Sequence, residues 1–172
     1  DRVHCQVQYD RYHIYPVDVH SLYCVREIEA LEKLPPGDGS ILREVVGEIR
    51  DPGTLKFAAL FHDLGKGEGS PHTLEGEKIA ASIGERLGFS PERNADLRFL
   101  VREHLNFAET AHRRDLNDEN LIFRFARSMG TDERLKMLYL LSVADLRAVG
   151  PASWNAWKDA LMRELFIKTL HL

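Results

Sequence analysis

Cysteine is scarce in this chain: Cys5 and Cys24 are the only two among 172 residues, and they form no C-x-x-C pair. A disulfide scaffold and a cysteine-rich structural zinc site are thereby set aside, and the usage suits a reduced, cytoplasmic compartment. Long apolar runs are missing too. The longest, from about Leu135 to Val149, is interrupted by Lys136, Ser142, Asp145 and Arg147, so it is too short and too polar to span a bilayer. No secretory signal is visible. Charge of one sign is also lacking: 23 Lys and Arg against 27 Asp and Glu leave a formal −4. That balance provides no global field for nucleic acid, and an anionic substrate would have to be met by local groups. Sustained period-two alternation, internal repeats and low-complexity tracts are absent, which argues against a sheet or a repeat array.

What remains is an ordinary globular composition, 44% hydrophobic and 29% charged, in a chain long enough to bury a core without staples. We expect one domain over residues 1–172. The opening Asp1-Arg2-Val3 carries no initiator methionine, which suits a segment of a larger protein.

Nearly every stretch reads with a 3.6-residue period. A first helix is predicted from Asp18 to Leu34 with Leu22, Val25, Ile28 and Leu31 as its stripe, ended by Pro35-Pro36-Gly37. Others are predicted over Ile41–Ile49, from Thr54 into His62-Asp63, over Thr73–Leu87, and from Ser90-Pro91 to His104. Gly65 to Pro71 is too rich in glycine for a helix interior. Asp118 and Thr131 open two more helices, the second carrying Asp145, and Trp154, Trp157, Leu161 and Leu165 form the stripe of the last. The expected fold is an all-α bundle of about seven or more helices.

Several acids and imidazoles stand on apolar helix faces, where an unpaired charge is costly. His62 shares a face with Leu55, Ala58 and Ala59, and Asp63 follows at once, so an imidazole and a carboxylate leave one helix end together. Asp145 closes the core-like run Leu138 to Ala144, and His20 lies one turn into the first helix. Four such groups from three distant helices make a metal site in a bundle core, with ligands His20, His62, Asp63 and Asp145. His72, before a helix N-terminus, and His104, on a face with Leu97, Leu100 and Val101, would serve a second ion with Asp63 bridging. Histidine and carboxylate donors suit Mn, Mg, Fe, Co or Zn, so the divalent metal and the count of one or two ions stay open.

Each residue also has a plainer reading. His104 alone is a hydrogen-bonded core histidine, and Asp145 alone a cap or a partner of Arg98, Arg102 or Arg147. Lys66, three residues after Asp63 in a glycine-rich loop, is a phosphate contact beside the metals or a solvated lysine. Arg113 and Arg114 grip phosphate or a partner surface, or else pair with Asp115 and Asp118. His4, His13, His112 and His171 lack any such context.

In order and kind, His20, His62-Asp63-Leu64-Gly65-Lys66, His72, His104 and Asp145 resemble the HD phosphohydrolase superfamily. More closely, Tyr12-His13-Ile14-Tyr15-Pro16-Val17-Asp18-Val19-His20 resembles the opening of the HD domain in bacterial PII uridylyltransferase/uridylyl-removing enzymes. His72 to Gly76, Arg113-Arg114-Asp115-Leu116, Ala144-Asp145 and Trp154-Asn155-x-Trp157-Lys158 look like the same family, the last being the most specific. Leu64 replaces the isoleucine often found after the His-Asp pair. The resemblance implies removal of uridylyl groups from a tyrosine of the nitrogen-signalling protein PII, by hydrolysis of a phosphodiester to UMP. In that reading Asp63 and Lys66 are catalytic, and Lys66, Arg113 and Arg114 meet the substrate. The family's nucleotidyltransferase motif and its ACT domains are not in this sequence, so the resemblance implies an excised HD domain. Related HD domains act on alarmones, cyclic dinucleotides or dNTPs, and a silent nucleotide-sensing or PII-binding module is the alternative of a different class.

Overall fold

In the computed structural model, Val3, Cys5 and residues 15–35, 41–66, 71–150 and 153–172 are described. His4, His13, the Tyr12–Ile14 part of the first motif, the Pro36-Gly37 stop and Gly67 to Ser70 lie outside them. Among the described residues there are nine helices and no strand: α1 Val17–Glu32, α2 Ile41–Gly47, α3 Pro52–Phe61, α4 His72–Arg86, α5 Pro91–Glu103, α6 Asn106–Arg113, α7 Glu119–Met129, α8 Asp132–Val149 and α9 Ala156–Leu170. No helix of the described residues is long and apolar enough to cross a membrane.

Side-chain caps set most of the boundaries. Asp51 accepts from the Thr54 amide at 3.0 Å, Ser90 from Arg93 at 3.2 Å, Thr131 from Arg134 at 3.2 Å and Asn155 from Lys158 at 3.0 Å. Each satisfies a donor that a helix start leaves without an internal partner. Gly88 and Gly130 follow α4 and α7 with φ of 71° and 74°, the left-handed region that glycine enters without penalty.

The core forms around α8. Leu135 and every residue from Met137 to Ala144 are buried, so α8 is enclosed on all sides along its middle. α1 and α3 lie against it on one side, with α4 reaching them through α5. α6, α7 and α9 pack against it on the other. Tyr139 stacks on Phe166 at 4.5 Å and also meets Phe107 at 5.4 Å, joining α8, α9 and α6. Cys24 is buried and Cys5 exposed, and no disulfide joins them.

Three expectations need correction. A helix, α6, occupies 106–113, where none was predicted. The buried face of α1 runs through Val17, His20, Ser21, Cys24, Ile28 and Leu31, while Leu22 is 60% exposed. In α9 the buried positions are Met162, Leu165, Phe166 and Thr169, and Trp157 is 62% exposed. Its ring instead stacks on His112 at the surface, 6.1 Å away.

Candidate metal centre

α3 and α5 each end on a histidine built in the same way. His62 follows α3, and its Nδ1 donates to the Ala59 carbonyl at 2.8 Å. His104 follows α5, and its Nδ1 donates to the Val101 carbonyl at 2.7 Å. A ring whose Nδ1 is committed to a carbonyl presents Nε2 outward, the atom a metal takes. The rings lie 5.1 Å apart, and that of His20, from α1, is 5.3 Å from His62. His72, the first residue of α4, has its ring 5.4 Å from that of His104.

The carboxylates fill the space between. Asp63 Oδ2 lies 3.4 Å from His62 Nε2 and 3.9 Å from His20 Nε2, while its other oxygen, Oδ1, lies 3.6 Å from His104 Nε2. Asp145 Oδ1 is 2.9 Å from His20 Nε2 and 3.6 Å from His62 Nε2. Lys66 Nζ donates to Asp63 Oδ2. Ser142 donates to the His104 carbonyl at 3.3 Å, which fastens this turn to α8. His20, His62, Asp63 and His104 are sealed in the interior, whereas Asp145 and Lys66 keep 17% and 15% of their side chains exposed. The cluster therefore opens to solvent at Asp145 and Lys66.

Its electrostatics favour positive charge among the carboxylates. Burial alone would strip a proton from His62, but Asp63 and Asp145 outweigh it and push its pKa up to about 10. Burial opposes ionisation of Asp63 as well, yet His62, Lys66 and His104 hold it far below the usual carboxylate range. His20 and His62 do the same for Asp145. His104 is brought down by burial, helped by the charge on His62, to about 4, and burial also lowers His72. A proton on His62 thus offsets carboxylates that a divalent ion would neutralise more fully.

Hydrogen bonding agrees. His62 Nε2, Asp63 Oδ1 and His72 Nε2 are buried without a hydrogen-bond partner, although buried polar atoms nearly always have one. Two sets of ligand atoms are mutually within 4.8 Å: His20, His62 and Asp63, and Asp63, His72 and His104. The donor set is imidazole and carboxylate with no thiolate among these residues, so the residues fit a hydrolytic metal better than a closed structural one.

Residues 21–146 match the model of the HD domain. The chain belongs to the HD-domain family. The matched stretch takes in His62, Asp63, His72, His104 and Asp145 and begins one residue after His20. This HD domain is 40% identical over 166 residues to a bifunctional uridylyltransferase/uridylyl-removing enzyme of Azospirillum brasilense, covering 96% of this chain and 18% of that protein. With the enzyme of the same description from Methylococcus capsulatus it shares 40% over 170 residues, 98% of this chain and 19% of the relative. For Nitrosococcus oceani the values are 41% over 166 residues, 95% and 18%. The chain spans about a fifth of the length of these curated relatives.

Of the residues singled out in the sequence, His20, His62, Asp63, Asp145, His72, His104 and Lys66 come together. Arg113 and Arg114 are not joined to them. Arg113, exposed, pairs with Glu109 at 3.8 Å rather than with Asp115 or Asp118. Arg114 borders a surface hollow with Asp115, Asp118 and Arg124. Nor does Asp145 pair with an arginine: Arg98 and Arg102 bind Glu77, and Arg147 lies over Trp154. Ser142, tying down the His104 turn, went unassigned in the sequence, where its only signal was a hydroxyl on the inward face of an apolar helix.

Proposed function

We propose that this HD domain hydrolyses a phosphodiester with the help of divalent metal, releasing UMP from a uridylylated tyrosine of the PII protein. The observation that carries the phosphohydrolase reading is the Asp63 carboxylate, whose two oxygens face two separate sets of imidazoles. The description of the relatives as uridylyl-removing supports the choice of ester. Residues 1–172 are read as one HD unit corresponding to the HD region of such enzymes.

His20, His62, Asp63 and Asp145 would hold one ion, and Asp63, His72 and His104 a second. Bound there, divalent metal supplies Lewis-acid polarisation of the phosphoryl group and activation of a water. The chain's own groups do the rest. The carbonyls of Ala59 and Val101 hold the rings of His62 and His104 with Nε2 turned inward. Burial of four ligands confines water and substrate to the mouth at Asp145 and Lys66. The Lys66 ammonium, on a long flexible stem, can leave Asp63 Oδ2 for a non-bridging phosphate oxygen and offset the charge that grows during attack. Water adds to phosphorus, the bond to the tyrosine oxygen breaks, and that oxygen leaves with a proton. Arg113 and Arg114 are assigned to the surface of the protein substrate.

The test is nucleotide release by the Mn2+-loaded protein from uridylylated PII, beside an alarmone, a cyclic dinucleotide and a dNTP. UMP from the protein substrate alone is the expected result. Turnover of a small nucleotide instead would retain the phosphohydrolase and discard PII. No turnover at all would favour a sensing module.

A further inference from the structure

His72 reaches the cluster with its Nε2 buried and, among the described residues, without a hydrogen-bond partner to hold it there. Its place depends on where α4 starts, and that is set by backbone lying on backbone. A β-carbon at Gly65 would overlap the carbonyl oxygen of His72 and lie 2.5 Å from the Gly76 amide nitrogen. Both atoms belong to the first turns of α4, so they cannot rotate away as a side chain would. From the other side, a β-carbon at Gly76 would sit 3.1 Å from Val101 Cγ1 and 3.6 Å from both the Gly65 amide nitrogen and the His62 carbonyl oxygen. Neither glycine has a positive φ. Conformational freedom therefore does not explain them. At 65 space does, because the turn after His62-Asp63 crosses α4 at a distance that only a glycine permits, while at 76 a methyl would make ordinary contact with the turn and press on Val101.

We propose that the Gly65–Gly76 crossing is the positioning device for the second metal site: it brings His72 into register with Asp63 and His104. The inference rests on the reading of two metal sites given above. Magnitudes decide which site depends on it. A methyl at Gly65 must push α4 away by roughly an ångström to reach ordinary contact, whereas ligation tolerates about 0.2 Å. His20, His62 and Asp63 come from α1 and the end of α3, not from α4, so the first site stays. Gly65 and Gly76 are positioning residues with no part in the chemistry.

The experiment is titration of the whole protein with Mn2+ alone, read by calorimetry and by EPR, which reports whether two bound ions are spin-coupled neighbours. The unsubstituted protein is expected to take two coupled ions. G65A should take one uncoupled ion, with first-site affinity within about threefold, as should H72A. G76A, whose methyl displaces only the end of Val101, should keep two ions with the second bound about tenfold more weakly. Two coupled ions in G65A at unchanged affinity would overturn the proposal. So would an unchanged second affinity in G76A, which carries the test if G65A loses its helical circular dichroism. A single ion in the unsubstituted protein would remove the two-site reading and the proposal with it, an outcome separable from any result on uridylylated PII because no nucleotide is present.

Discussion

Asp63 Oδ1 lies 3.6 Å from His104 Nε2, beyond hydrogen-bonding reach, although both side chains are buried. The separation leaves room for a cation to bind both. D63N keeps the shape of the side chain and removes its charge, so it should lose metal at both sites. Affinity for Mn2+ is expected to fall by more than ~100-fold, beyond the loss typical of an outer-sphere change, with hydrolysis undetectable. Full metal content in D63N, measured by elemental analysis after dialysis, would show that Asp63 is not the shared ligand.

In the absence of metal, the stability of the protein should depend on pH through His62, Asp63 and Asp145. The folded pKa of His62, about 10, exceeds the 6.5 of an ordinary histidine. Its contribution to stability is therefore fully present below pH 6.5 and lost as pH rises toward 10. Asp63 and Asp145 are held low, so their contribution is present above the usual carboxylate pKa and lost as pH falls through and below it. Urea unfolding in EDTA should give a midpoint that declines from pH 7 to 9.5 and again below pH 4. Saturating Mn2+ should flatten the alkaline limb, since the metal takes the place of the proton. An alkaline limb already flat in EDTA would mean that His62 carries no proton.

Lys66 donates to the same Asp63 oxygen that faces His20 and His62. Removing its ammonium takes away a like charge from the metal while depriving the substrate of a phosphate contact. K66M is thus expected to bind Mn2+ roughly three- to tenfold more tightly and to hydrolyse substrate about 10- to 100-fold more slowly. Loss of both properties would assign Lys66 a structural part.

The packing of α9 gives a stability test free of any metal. Phe166 is sealed against Tyr139, so F166A should cost about 3–5 kcal/mol. W157A should cost less than about 1 kcal/mol, because most of the indole already meets water. Chemical denaturation of the two variants, with equal losses, would restore Trp157 to the core.

The helices that hold the ligands were legible in large part because caps mark their starts: Ser90 opens α5 and Thr131 opens α8 as read, whereas α3 starts from its Asp51 cap, ahead of the Thr54 expected for it. α6 was not legible. Leu105 precedes it in a helical conformation without a side-chain cap, so nothing in the sequence marks a break after His104. The face of α1 was misread for a related reason. Apolarity favoured Leu22 and Val25, but the inward face carries His20 and Ser21, and a helix that contributes a ligand is less apolar on the side that matters. In α9, two stripes of helical spacing compete, and only packing against α6, α7 and α8 selects the one through Met162 and Phe166. That His20, His62, Asp63, His72, His104 and Asp145 would lie together was readable, since polar groups ending apolar runs call for a partner. The crossing of Gly65 over α4 was hidden, because glycine in a turn reads as freedom and here provides clearance.

In both His62 and His104 the ligand and the group that orients it occupy one turn of one helix, three residues apart. Each helix end is therefore a self-contained fitting whose tautomer and ring plane need no help from the rest of the chain. The bundle then has one job left, to hold two prefabricated ends at a fixed spacing. Changes in the distant core should alter how far apart the imidazoles stand without altering which nitrogen they offer.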